Sequence, residues 1–195
     1  IGQLSNTLGV LYNRKGLYSK GESFYLRAIS IYKNTGKSNQ SKGNHETFLY
    51  GKVLNNLGAS YLRQGLYSKA EPLLKRSLKI YEDRYGPESL EVAGILSNLG
   101  LVYSSQGLYR KAEPLLKRSL KISEINLPPN NRETSYRLTN LAQLYENQGL
   151  FNKSAKLLER GLKIEFLFIQ RETPYLALSQ RQSFLQSLGD NYQSS

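Results

Sequence analysis

The chain of 195 residues contains no cysteine, no methionine and no tryptophan, and only one histidine, His45. Without cysteine there are no disulfide staples, no thiolate nucleophiles and no Cys-ligated zinc. A lone histidine leaves no imidazole cluster for a metal and no partner for a catalytic triad. Aspartate is nearly absent too, with Asp83 and Asp190 far apart in sequence. Acidic residues number 15 against 27 Lys and Arg, a formal charge of +12. No apolar run approaches the roughly 18 residues of a membrane span, and no signal-peptide pattern opens the sequence. A cytoplasmic protein without a metal, a cofactor or a membrane partner is expected. The first residue is Ile1 rather than Met, so the chain reads as a piece of a longer protein.

What the sequence does have is a repeat. Lys15-Gly16-Leu17-Tyr18 returns as Gln64-Gly65-Leu66-Tyr67, Gln106-Gly107-Leu108-Tyr109 and Gln148-Gly149-Leu150-Phe151, with glycine spacings of 49, 42 and 42 residues. The longer first interval predicts an inserted loop in the polar stretch around Thr35 to Asn44. Upstream of each glycine stands a small-residue phrase ending in tyrosine: Leu8-Gly9 to Tyr12, Leu57-Gly58 to Tyr61, Leu99-Gly100 to Tyr103 and Leu141-Ala142 to Tyr145. Downstream comes an amphipathic run. In the second copy Ala70, Leu73, Leu74, Ser77, Leu78 and Ile80 fall at helical spacing, with Lys75, Arg76 and Lys79 largely opposite. Each unit therefore reads as helix A, a glycine turn and helix B. Such a pair cannot bury both apolar faces alone, and stacking on neighbours solves this. The expected fold is all-α, a right-handed α-solenoid.

Local signals agree. Ser19-x-x-Glu22 and Ser68-x-x-Glu71 read as capping boxes opening helix B, Asn152 as the cap of the fourth copy, while Arg110 breaks the rule in the third. Pro72 and Pro114 are expected in the first turn of helix B, where a missing amide costs least. Tyr85-Gly86-Pro87-Glu88 reads as the end of one helix and the start of the next, and Leu127 to Asn131 as a second such junction.

The Leu-Gly-x-x-Tyr, Gly-Leu-Tyr and Lys-Ala-Glu phrases resemble the tetratricopeptide repeat, whose usual period is about 34 residues. The 42-residue period, with Leu54 to Gly58 and Ile80 to Glu88, is similar to the kinesin light chain subclass, abundant in bacterial and cyanobacterial multidomain proteins. The expected repeats span about 1–33, 47–83, 88–125 and 130–165, with an inserted loop at 34–46. Residues 166–195 lack the phrase; Leu176, Leu178, Phe184, Leu185 and Leu188 predict a C-terminal capping helix stopped by Gly189. The stretch from Arg181 to Leu188 also resembles the linker that joins such repeats to caspase-like CHAT domains. No candidate for that domain's Cys–His pair exists here.

The resemblance implies a non-catalytic scaffold for protein–protein interaction. It puts helix A along a concave groove, with Gln3, Asn6, Thr7, Val10 and Arg14 there from the first repeat and Lys52, Asn55, Asn56, Ala59 and Arg63 from the second. The third supplies Gly94, Ser97, Asn98, Leu101 and Ser105, and the fourth Tyr136, Thr139, Asn140, Gln143 and Asn147. The row Asn6, Asn55, Asn56, Asn98, Asn140 and Gln143 offers paired donors and acceptors to an extended peptide backbone. It equally suits a helix surface with no ligand. Arg14, Lys52 and Arg63 would favour an acidic partner at one end. The chaperone-type carboxylate clamp of the family is matched only at Asn56, so a chaperone C-terminal peptide is not the expected ligand.

Two other readings stay open. Lys75, Arg76, Lys79, Lys117, Arg118, Lys121, Lys156, Arg160 and Lys163 recur on helix B, and stacking would ridge them across the convex face. Such ridges could attract nucleic acid or an acidic partner, or simply keep the solenoid in solution; no nucleic-acid motif accompanies them. The region could also act as a sensor for an effector domain beyond residue 195. Catalysis is not expected, because Glu71, Glu82, Glu113 and Glu124 read as caps and surface charges rather than a convergent set. Tyr12, Tyr61, Tyr103 and Tyr145, and Tyr18, Tyr67 and Tyr109 after the turns, read as packing.

Overall fold

The computed structural model describes residues 1–38 and 43–172. Eight helices are described: α1 (Gly2–Arg14), α2 (Tyr18–Ser38), α3 (Gly43–Arg63), α4 (Tyr67–Tyr85), α5 (Leu90–Ser105), α6 (Tyr109–Asn126), α7 (Arg132–Asn147) and α8 (Phe151–Glu172). No strand occurs among the described residues. Each odd-numbered helix pairs with the one after it, each hairpin packs on the next through α2–α3, α4–α5 and α6–α7, and α1, α3, α5 and α7 also touch in succession. The result is the α-solenoid that the repeat requires.

All four hairpins turn the same way. In the second, the Leu66 amide donates to the Tyr61 carbonyl at 2.8 Å and the Gly65 amide to Leu62 at 3.0 Å, and the other turns repeat this pair of bonds. This is the Schellman arrangement, which satisfies the last free carbonyls of helix A. It needs a left-handed residue, and Gly16, Gly65, Gly107 and Gly149 hold φ of 72–74°. Most other residues would be strained there.

Several local expectations are corrected. The capping boxes do not form: α4 opens at Tyr67 with Leu66 as its N-cap and no side-chain cap, and α6 opens the same way behind Leu108. The turn leads straight into helix B, so Ser68 is already inside it. Pro72 and Pro114 consequently sit one turn further in than expected. At the Tyr85–Glu88 junction Gly86, at φ 84°, ends α4, but α5 does not start at Pro87; Ser89 caps it by accepting from the Val92 amide at 3.4 Å. Helical backbone also runs into both ends of the expected inserted loop, α2 reaching Ser38 and α3 beginning at Gly43. Residues 166–172 belong to α8, and the rest of the expected capping helix lies outside the described residues.

Packing between hairpins is regular. The Tyr61 hydroxyl donates to Glu22 at 2.5 Å, and Tyr103 and Tyr145 donate to Glu71 and Glu113 at 2.9 Å each. Glu71 and Glu113 also hold Lys75 and Lys117 at 2.7 Å. Those lysines, more than the tyrosines, keep both carboxyls below their ordinary value. The glutamates read as caps are thus bonds between repeats.

Buried phenols make the stack sensitive to alkali. Burial pushes Tyr25 and Tyr61 up to about 12, with the Glu22 bond adding to the second, and it also raises Tyr81, Tyr103 and Tyr145. A group whose folded value is raised contributes stability below its unfolded value, and loses it as pH climbs through the folded value. Helix content and the urea midpoint should therefore hold to about pH 10 and fall together between pH 10 and 12. An unchanged urea midpoint at pH 12 would contradict this.

Candidate peptide-binding groove

The A helices approach closely enough for their side chains to join. The Asn56 amide donates to the Asn6 side-chain oxygen at 3.0 Å, Asn98 to Asn55 at 3.1 Å, and Asn140 to the Ser97 hydroxyl at 2.8 Å. Counted from the repeat leucine, each bond runs from one column of a repeat to the neighbouring column of the repeat before it. A second line joins Ser60 to Asn13 at 2.7 Å and Asn147 to Ser104 at 3.4 Å. The amide row therefore holds successive repeats in register. Each bond uses one donor of an Asn amide and one acceptor site, leaving further capacity at the half-buried Asn55, Asn56 and Asn98. Asn6 and Asn140 are buried.

A cleft of about 380 Å³ crosses α3, α5 and α7. It brings together Lys52, Asn55 and Asn56 from α3, Ser97 and Asn98 from α5, and Tyr136 and Arg137 from α7, with Tyr81, Glu91 and Glu133 among its other walls. Of the candidate residues, Lys52, Asn55, Asn56, Asn98 and Tyr136 line it. Asn6, Arg14, Arg63, Asn140 and Gln143 do not. Arg14 and Arg63 are exposed at the far ends of α1 and α3, and Gln143 bonds to Glu146 and Asn147 on its own helix. Tyr136, which the packing of repeats does not claim, is 53% exposed.

Sequence reasoning overlooked Arg137. Val53 and Ile95 occupy the equivalent place in the second and third repeats and are buried. In the fourth, a guanidinium takes that apolar site with its side chain 7% exposed. It meets Glu133 at 3.3 Å, its Nε finds no partner, and burial lowers its pKa against the pull of Glu133. Alignment of the repeats column by column marks the position, since a charge there interrupts an apolar column.

The convex face is less bare than its composition suggests. Besides Lys75 and Lys117, Lys79 pairs with Asp83 at 3.3 Å, Arg118 with Glu82 at 2.9 Å and Arg160 with Glu124 at 2.7 Å. Arg76 lies over the Tyr50 ring at 5.0 Å. Much of the expected basic ridge is committed to contacts within and between repeats. No group of three His, Asp or Glu able to hold a metal occurs among the described residues, and none of the described helices is long and apolar enough to cross a membrane.

A family model described as tetratricopeptide repeat matches residues 50–125, and a second of the same description matches 3–35 and 137–166. The structure is similar to that of BtubC (BKLC) from P. vanneervenii, with a TM-score of 0.73 and 23% identity, over 86% of this chain and 64% of that one. The chain thus spans under two thirds of that protein's length. It is also similar to a Podosopora anserina protein described as a kinesin light chain with nearly identical TPR-like repeats, with a TM-score of 0.51 and 16% identity over 84% of this chain and 94% of that one. A second structure from that organism, described as a single-substitution form of that chain, gives a TM-score of 0.53 and 16% identity, over 89% and 96%. No curated protein matches the chain.

Proposed function

We propose that this chain, which belongs to the tetratricopeptide repeat family, is a non-catalytic scaffold that takes an extended peptide segment of a partner protein into the cleft across α3, α5 and α7. Repeats of this family generally mediate protein–protein contact; the cleft and its residues are the finer reading. The observation that carries it is the convergence of side chains from three successive A helices on one cleft, with unused amide capacity beside an exposed tyrosine. Asn55, Asn56 and Asn98 offer backbone-directed donors and acceptors, Tyr136 an aromatic platform, and Lys52 and Arg137 cationic heads. Arg137 adds support, because a charge in an apolar column weakens the fold, a cost that a binding role would offset.

The test must spare the amides that join the repeats. Lys52 and Tyr136 are exposed, so Tyr136→Ala and Lys52→Ala should leave the thermal midpoint nearly unchanged. Partner peptides selected on the native chain by display should bind the double variant at least roughly tenfold more weakly, a loss of about 1.4 kcal/mol. Equal affinity for the double variant, measured by calorimetry, would remove this cleft from consideration.

A further inference from the structure

In the two later joints of the stack an arginine ties each helix B to the helix B before it. Arg118 meets Glu82 at 2.9 Å and Glu88 at 3.5 Å and donates to the Pro87 carbonyl, and Arg160 meets Glu124 at 2.7 Å. Counted from the turn glycines, Arg76 is the same arginine in α4, and the column of Glu82 and Glu124 holds Lys33 in α2. At the joint of the first two hairpins the carboxylate is therefore missing, and a cation stands in its place. Arg76 lies over the Tyr50 ring at 5.0 Å, and neither it nor Lys33 has an ion pair among the described residues.

A cavity of about 690 Å³ opens at that same joint, between α2, the start of α3 and α4. Tyr32, Tyr50 and Ile80 give it an apolar floor, both tyrosines only 8% exposed, and Lys33, Arg76 and Lys79 stand around them. Asp83, paired with Lys79 at 3.3 Å, is the one carboxylate among these lining residues. The last joint has a cleft of about 660 Å³ lined from the same columns, with Thr134, Arg160, Lys163 and Ile164, but there Glu124 supplies the anion. The two hollows share their place in the repeat and differ in charge. A concave site with an apolar floor and a few cations at its edge has the make-up of a binding pocket for an anion.

We propose that this pocket binds an acidic segment of a partner protein, whose carboxylates take the place that Glu82 and Glu124 hold in the later joints. One carboxylate meets the Arg76 guanidinium, whose planar fork suits it, and a second meets Lys33. An apolar side chain of the same segment lies on Tyr32, Tyr50 and Ile80. Carboxylate is favoured over phosphate because it is the group that the same arginine takes in both later joints. Three cations gathered about one hollow suit a short acidic run better than the evenly spaced phosphates of a nucleic acid. The pocket shares no lining residue with the cleft across α3, α5 and α7, and its assignment does not depend on that reading.

The test uses the full chain and a pair of short labelled peptides, blocked at both ends, that carry either Glu-Glu or Gln-Gln beside a leucine. By fluorescence anisotropy at low salt the Glu-Glu peptide should bind roughly tenfold or more tightly than its partner, and the difference should shrink as salt is raised. Lys33→Glu restores the residue type of the later joints, so it should erase that preference while leaving the thermal midpoint unchanged or higher. Lys156→Glu, the same change of charge at an exposed site on α8, should keep the preference. Equal binding of the two peptides by the native chain, or an undiminished preference in Lys33→Glu, would overturn the proposal. So would a preference that survives Lys33→Glu but vanishes when Lys52→Ala and Tyr136→Ala are combined, since the peptide would then lie in the other cleft. A phosphoserine peptide that binds where the Glu-Glu peptide does not would overturn it as well, in favour of a phosphate site.

Discussion

Replacing Arg137 by leucine is expected to make the protein more stable, by about 1–3 kcal/mol. The guanidinium sits where two other repeats place valine and isoleucine, and its ion partner Glu133 is 65% exposed, so the pair is only half withdrawn from water. A one-sided pair of this kind recovers little Coulomb energy, while the arginine carries the desolvation of a buried charge and an Nε without a partner. Leucine removes that burden and restores the apolar column. In a chain of this length each kcal/mol moves the melting point by roughly 2–4 °C, so the shift is readily measured. Glu133→Gln should act the other way and more weakly, because water replaces most of what an exposed carboxylate supplies. A clear loss of stability in Arg137→Leu, by urea unfolding, would mean that the guanidinium's contacts outweigh its burial. The cleft would then have lost the argument drawn from that residue.

The second large effect concerns the close approach of helices within a hairpin. A Cβ built at Gly100 lies 2.7 Å from Leu116 Cγ and 2.8 Å from its Cδ2, and Leu116 is 1% exposed. Gly58 stands against Leu74 in the same way, at 2.8 and 2.9 Å. Gly100→Ala should therefore destabilise by about 1–3 kcal/mol, despite the better helix propensity of alanine. Leu116→Ala should cost about 2–5 kcal/mol through lost burial and the cavity left behind. Combined, the two should not add. With the leucine branch gone, the new methyl has room, and Gly100→Ala becomes neutral or mildly favourable in that background. Additive losses across this cycle would show that the glycine is not there to admit Leu116.

These residues also show where sequence reading succeeded and where it stopped. The glycine turns were legible because a left-handed residue is a local demand, met by the same phrase four times. Leu57 and Leu99 are buried, as their helical spacing implied. The role of Ser68-x-x-Glu71 was misread because the spacing of a capping box is also the spacing of a glutamate aimed at the next repeat. Nothing local to Glu71 names Tyr103 as the hydroxyl that donates to it. The Asn row was legible as a row, but not as a set of bonds between helices, since an amide serves a neighbouring repeat and a bound peptide with the same groups. Lys52, Asn55, Asn56, Asn98 and Tyr136 do reach one cleft, whereas Arg14, Arg63 and Gln143 stand apart from it.

By itself the sequence determined the period, the hairpin and the need to stack, because turn conformation and amphipathic spacing are fixed by residues near one another along the chain. Only the tertiary structure decided which polar groups are spent joining repeats and which remain to meet a partner. Those assignments depend on residues about 32–50 positions apart, whose separation in space is set by the packing of whole helices.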